Sequence, residues 1–302
     1  MTHKHTSENL AKGFQRVTPL PSTNLEQLWQ SIVIEESLKD QLVSQAVFNF
    51  TVRPKVPRSV LPLHGVILLY GVPGTGKTSL ARGLASKTAE FFPKQKFKLI
   101  EVNPHQLTSA MMGQSQKAVS ELFSQSILEA AIGGPTIVLL DEVETLAVER
   151  TKLSLEANPI DAHRATDAVL VQLDSLADQN TNLLFVATSN FPQAVDSAFV
   201  SRCDFLAEIP LPDERACADI IAKCLAGLAE SFPPVGKLAS PANVAKLAAI
   251  FSGLDGRAIR KAISSSFTVR REVAASPELL SFDDLLKSAK RAQQAIKRRG
   301  HL

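Results

Sequence analysis

The feature that most constrains this chain is Gly71-Val72-Pro73-Gly74-Thr75-Gly76-Lys77-Thr78, set directly after the apolar run Val66-Ile67-Leu68-Leu69-Tyr70. Downstream, Leu80 and Leu84 share one helical face. The pattern is G-x-x-x-x-G-K-S/T between a strand and a helix, the phosphate loop in its confirming context. Glycines let backbone N–H groups curl around phosphate oxygens, and the helix N-terminus adds a field that favours an anion. Lys77 is then placed to reach the β- and γ-phosphates, and the Thr78 hydroxyl to sit on Mg²⁺. A nucleoside triphosphate is the expected ligand.

A chain of 302 residues can bury a large core, and two folding units are expected. A net charge of +3 makes no case for nucleic acid. No apolar run approaches the ~20 residues that a bilayer span needs, so no membrane partner is expected. Met1 to Thr6 lacks the apolar core of a signal peptide. Cys203, Cys217 and Cys224 have no zinc spacing; Cys217 and Cys224, two helical turns apart, read as buried small apolar residues. These features lead to the expectation of a cytoplasmic protein without disulfides.

Residues 1–24 are polar, with Pro19 and Pro21, and read as a flexible lead-in. Leu38, Leu42, Val43, Ala46, Val47 and Phe50 then follow a helical period, and Arg53 to Pro62 is a connector. Strands are expected at 66–70, 97–102, 136–140 and 183–187, with amphipathic helices through Val119 to Ala130 and Ala165 to Leu176. The run Thr136-Ile137-Val138-Leu139-Leu140 is apolar on both faces, as inside a parallel sheet. Strand and helix alternating in this way predict a doubly wound α/β domain over 25–212. Beyond Pro210-Leu211-Pro212 the apolar periods are all helical, so 213–302 is expected to be a small α-helical domain. Its last helix opens at Ser281-Phe282-Asp283-Asp284, which has capping-box spacing.

The strand at 136–140 ends in Asp141-Glu142, at the edge where open α/β sheets bind ligands. Asp141 can hold Mg²⁺ through water, and Glu142 can orient and deprotonate an attacking water. A solvated acidic pair is the plainer alternative. Asn190 closes the strand-like run from Leu183 and can help position that water from the other side, although a strand-terminal Asn is often a turn residue. Arg202 is a candidate arginine finger for the departing γ-phosphate, or else a salt-bridge partner of Asp204 or Asp196. Arg257, in Gly253-Leu254-Asp255-Gly256-Arg257, stands at a helix start from which it can reach back to the nucleotide.

Taken together, this ordered set of motifs resembles the AAA+ ATPases over roughly 25–270. The resemblance implies ATP as the nucleotide, with Gly71 to Thr78 as Walker A, Ile137 to Glu142 as Walker B, Asn190 as sensor 1 and Arg257 as sensor 2. It further implies a five-stranded parallel sheet in the order 5-1-4-3-2 followed by a helical lid. The ring would be a homohexamer in which Arg202 acts on the neighbour's nucleotide. Within AAA+, Asn24-Leu25-Glu26-Gln27-Leu28-Trp29, Leu140-Asp141-Glu142-Val143-Glu144-Thr145-Leu146 and the 253–257 stretch resemble the pachytene-checkpoint branch, which remodels HORMA-domain proteins. Eukaryotic members of that branch carry an N-terminal adaptor-docking domain, which the few residues before the phosphate loop lead one not to expect here. The short chain resembles instead the bacterial members found with CD-NTases in CBASS antiphage systems. There the remodeller is implied to take apart a HORMA–CD-NTase complex and silence second-messenger synthesis.

At the pore-loop position, where the branch carries an aromatic–hydrophobic pair, this chain has Met111, Met112 and Gly113. Unbranched, polarizable thioethers suit a grip that does not read sequence, or else they pack on the core. A second loop near 148–163, with Glu149, Arg150 and Lys152, can line the pore behind it or form a solvated face. A nucleic-acid motor or clamp loader is the competing reading, carried by Lys287, Lys290, Arg291, Lys297, Arg298 and Arg299. These cations are read as spread around a terminal helix, a solvated end helped by the helix dipole, so nucleic acid is not the expected partner.

Overall fold

The computed structural model describes residues 13–102, 104, 115–149 and 159–299. The chain divides into two compact units. The first comprises the described residues up to Trp29, then Glu36–Gly71 and Lys77–Glu208; the second comprises Gln30–Glu35, Val72–Gly76 and the chain from Ile209 onward.

In the first unit, β1 (Phe14–Pro19), α1 (Thr23–Ser31, its last two residues counted with the second unit) and α2 (Glu36–Thr51) precede β2 (Val66–Tyr70), and α3 (Lys77–Glu90) leads to β3 (Lys98–Val102). Then come α4 (Ser115–Glu121), a π-helical stretch Leu122–Ile127, α5 (Leu128–Ala131) and β4 (Thr136–Leu140). The unit closes with α6 (Pro159–Gln179), β5 (Leu183–Ser189), α7 (Ser197–Val200) and β6 (Phe205–Glu208). The sheet order is β1-β3-β4-β5-β2-β6. With its five parallel strands numbered in chain order, this is the 5-1-4-3-2 arrangement read from its other edge.

The central strands are largely apolar because both of their faces are covered. Val66, Leu68, Val138, Leu140, Phe185 and Ala187 join one core with Val119, Phe123, Val169 and Leu173 from the helices. The alternate residues Ile67, Leu69, Ile137, Leu139, Leu184 and Val186 are equally buried, and α3 contacts β2, β4 and β5. Leu80 and Leu84 of α3 are fully buried, each contributing about 1.5–3 kcal/mol of hydrophobic stabilisation.

Two expectations need correction. Among the described residues a sixth, antiparallel strand joins the five expected parallel ones, because the lead-in over 1–24 is not wholly flexible: Phe14–Pro19 pairs with β3. An edge strand tolerates the polar residues and terminal proline that made this segment read as a tail. The helix expected through Val119 to Ala130 is also interrupted by the π-helical turn, although Val119, Leu122, Phe123 and Ile127 are buried.

The second unit is helical: α8 (Glu214–Ser231), α9 (Pro241–Phe251), α10 (Gly256–Ser266), α11 (Arg271–Ala275) and α12 (Phe282–Arg299). Ile220, Ile221, Leu225, Leu247, Phe251, Ile259, Ile263 and Leu285 form its core. Side-chain caps fix the helix starts: Asp213 accepts from Ala216 N at 2.7 Å, and Asp255 from Ala258 N at 2.9 Å. At α12 the capping box is reciprocal, with Asp284 N donating to Ser281 Oγ (3.3 Å) and Ser281 N to Asp284 Oδ2 (3.1 Å). Cys217 is buried and Cys224 half-buried, and burial pushes the Cys217 thiol up to about 11. All three cysteines are free thiols.

Candidate active site

β2 delivers the chain to the glycine-rich loop. Gly71, Gly74 and Gly76 have φ of 147°, 89° and 95°, a region that side chains with a Cβ avoid. At Gly74 the close approach is equally restrictive, because a Cβ there would collide with Oδ1 of Asp255. Arg257 N donates to Gly74 O at 3.2 Å, so the start of α10 is bonded to the loop. Lys77 is buried, and its Nζ donates to Gly71 O at 2.8 Å.

Sheet register gathers the polar residues. β5 lies between β4 and β2, with Leu140 opposite Ala187 and Leu69 opposite Thr188. The three parallel strands therefore finish at one edge. There Thr78 Oγ1 donates to Asp141 Oδ1 at 2.7 Å, and Thr188 Oγ1 donates to the same oxygen. Thr188 Oγ1 also accepts from Glu142 N at 3.1 Å.

Glu142 has φ 54° and ψ 54°, and among the described residues it is the one non-glycine with positive φ. Left-handed backbone costs an L-residue about 1–2 kcal/mol, and such strain concentrates at functional sites. The Glu142 side chain is exposed, and its Oε1 accepts from Asn190 Nδ2 at 3.4 Å. Asn190 N donates to Glu144 Oε1 at 3.0 Å.

Arg202 follows α7, whose start is capped by Asp196 accepting from Ala198 N at 2.9 Å. Its guanidinium pairs with Asp174 of α6 rather than with Asp204 or Asp196. Asp204 is occupied elsewhere, accepting from the backbone N–H groups of His64, Gly65 and Val66 at the entry to β2. Hydrogen bonding to Arg202 holds the Asp174 carboxyl below its usual range, and the same bond raises the Arg202 pKa.

Comparison with known proteins agrees with this architecture. The family described as "ATPase family associated with various cellular activities (AAA)" matches residues 67–211. The chain is 60% identical over 295 residues to CD-NTase-associated protein 6 of Pseudomonas aeruginosa, covering 97% of each. This chain belongs to the AAA ATPases. It is 31% identical over 290 residues to the rat pachytene checkpoint protein 2 homolog, spanning 66% of that protein's length. Among solved structures, C. elegans PCH-2 superposes with a TM-score of 0.74 at 26% identity, over 93% of this chain and 75% of that one. A chain from the E. coli MS115-1 HORMA:CdnC:Trip13 complex gives 0.74 at 18% identity, over 91% and 94%, a likeness of fold.

As an AAA ATPase the chain binds nucleotide, and its donor set fits a Mg²⁺ that arrives with the phosphates. Mg²⁺ is usually held by one or two carboxylates plus substrate oxygens. Here one carboxylate, Asp141, and one hydroxyl, Thr78, already meet. Among the described residues no cluster of three or more His, Cys, Asp or Glu could hold a resident metal, and no helix is long and apolar enough to cross a membrane.

Of the residues singled out in the sequence, the fold brings Thr78, Asp141, Glu142 and Asn190 of this AAA ATPase to one sheet edge. It brings Arg257 to Gly74 through the backbone, with the arginine side chain exposed. Met111, Met112, Gly113, Arg150 and Lys152 lie outside the described residues. On α12, Lys287, Lys290, Arg291 and Arg298 are exposed while Leu285, Ser288 and Ala289 are buried. Those cations occupy the solvent side instead of ringing the helix. Thr188, Glu144 and Asp174 are additions from the structure. Thr188 and Glu144 had a local signal, in Thr188-Ser189-Asn190 and the alternating acids Glu142 and Glu144, whereas Asp174 had none.

Proposed function

We propose that this AAA ATPase is a cytoplasmic, ATP-driven remodeller of HORMA-domain proteins that disassembles HORMA–CD-NTase complexes and so down-regulates CBASS antiphage signalling. The observation that carries the reading is the 60% identity to CD-NTase-associated protein 6 across 97% of both chains. The pachytene checkpoint relatives and the fold shared with a chain of a HORMA:CdnC:Trip13 complex support it.

In this reading residues 25–212 are the nucleotide-binding domain and 213–302 the helical lid. Within the Gly71 to Thr78 loop, backbone N–H groups of Gly74 to Thr78 cradle the phosphates of ATP, and Lys77 leaves the Gly71 carbonyl to meet the β- and γ-oxygens. Thr78 and Asp141 would hold Mg²⁺, which when bound would supply positive charge against the phosphates. Glu142 accepts the proton of the attacking water, Asn190 orients that water, and Arg257 contacts the nucleotide from the start of α10. Arg202 leaves Asp174 to stabilise the γ-phosphate bound by the adjacent subunit of a homohexamer. Hydrolysis around the ring moves Met111, Met112 and Gly113 against the HORMA protein and opens it.

The reading is tested by steady-state ATPase assays. Turnover is expected to rise on adding a HORMA-domain protein and to stay unchanged with duplex DNA. Stimulation by DNA with a steep salt dependence, and none by the HORMA protein, would favour a nucleic-acid motor instead.

A further inference from the structure

Strand β5 ends at Ser189, so the N–H of Asn190 has left the ladder and needs another acceptor. It finds Glu144 Oε1 at 3.0 Å, on the same turn that carries Glu142. That turn is tightly built. Glu142 is left-handed, Val143 is fully buried, and both the N–H and the hydroxyl of Thr145 donate to Glu142 O at 2.9 Å. Glu144 Oε2 is buried and has no hydrogen-bond partner among the described residues. A carboxylate kept in place with one oxygen unsatisfied is poorly explained by stability alone.

We propose that Glu144 is a positioning residue for the reaction: by fixing the Asn190 backbone to the Glu142 turn, it sets the 3.4 Å spacing between the Glu142 carboxylate and the Asn190 amide. This rests on the reading of Asn190 as the residue that orients the attacking water. The same two loops are stitched further along by Glu149 N to Ala194 O and Asp196 N to Ala147 O, each 2.8 Å. Those bonds align the loops as bodies. Glu144 holds Asn190 itself, and its effect passes to water through that side chain.

The test uses the full chain with ATP, measuring kcat and KM by steady-state turnover and nucleotide affinity with a fluorescent ATP analogue. Glu144→Ala is expected to lower kcat by about 10- to 100-fold, as a small misplacement of a reacting group can, with analogue affinity unchanged. Glu144→Gln keeps an oxygen acceptor for Asn190 N–H and is expected to hold kcat within about threefold of the parent. Because Glu144 works through Asn190, Glu144→Ala/Asn190→Ala is expected to be no slower than Asn190→Ala alone. Should the alanine variant not fold, Glu144→Met, similar in length but without an acceptor, gives the same contrast with glutamine. A double variant slowed by the product of the single effects, or a Glu144→Ala enzyme at full speed beside a slow Asn190→Ala one, overturns the proposal. Full speed in Asn190→Ala would remove the reading of Asn190 itself, and this inference with it.

Discussion

Arg202 and Asp174 meet in a two-point ion pair, Nε to Oδ1 at 2.9 Å and Nη2 to Oδ2 at 2.8 Å. This fork-on-fork geometry is the strong form of a charge-assisted hydrogen bond. Arg202 Nη1 also donates to Ala198 O at 2.7 Å, and His64 Nε2 lies 3.3 Å from Asp174 Oδ1. Within one chain, then, the arginine has an anionic partner. In the proposed ring, a γ-phosphate on a neighbouring subunit would have to compete with that carboxylate.

Arg202→Ala is predicted to keep nucleotide affinity and lose about 10³-fold or more in kcat, the effect of removing an arginine finger. Mixing Arg202→Ala with Lys77→Ala subunits should restore part of the ATPase activity, since some interfaces then pair an intact phosphate loop with an intact arginine. No recovery at any mixing ratio would place Arg202 outside a shared site.

Glu142→Gln is predicted to bind ATP and hydrolyse it at least ~100-fold more slowly, because general-base assistance is worth about 10²–10⁴. Rapid-quench turnover with radiolabelled ATP checks this. Parent-like turnover would remove Glu142 from the chemistry.

Gly74→Ala is predicted to lose nucleotide binding, because alanine at φ 89° costs about 1–2 kcal/mol and its Cβ meets the Asp255 carboxylate. Gly227 of α8 is the control, because a methyl group added there would meet nothing within 4 Å. Gly227→Ala should raise stability by about 0.5–1 kcal/mol and leave binding intact. Isothermal titration and chemical denaturation read both.

Acid sensitivity follows from Asp284, whose carboxyl is held below its usual value of 3.8 chiefly by its hydrogen bond to Arg270. A depressed folded-state pKa contributes stability that is fully present above 3.8 and lost as pH falls through the depressed value. Asp284→Asn should therefore lower Tm at pH 7, with the gap from the parent narrowing progressively as pH falls below 3.8. A gap independent of pH would contradict the assignment.

Much of the fold was legible because residues 66–69 and 137–140 are apolar at every position, a pattern that buried parallel strands share with few alternatives. β1 was not, since its evidence is a pairing with β3, some eighty residues away, that leaves only weak local alternation. The acidic residues after β4 stood out because an apolar strand points at them. The partner of Arg202 did not, because Asp174 lies 28 residues back on another element and nearer carboxylates were available. Asp204 and Asp196 looked suitable in sequence, yet both serve backbone N–H groups.

The proposed function is that ATP hydrolysis by this chain opens a HORMA-domain protein. Its most direct test is release of a fluorescent peptide held by a closed HORMA protein, followed by anisotropy. Anisotropy is expected to fall with the chain and ATP together, and not to fall without ATP or with Glu142→Gln. Steady anisotropy while the unmodified chain hydrolyses ATP would contradict it.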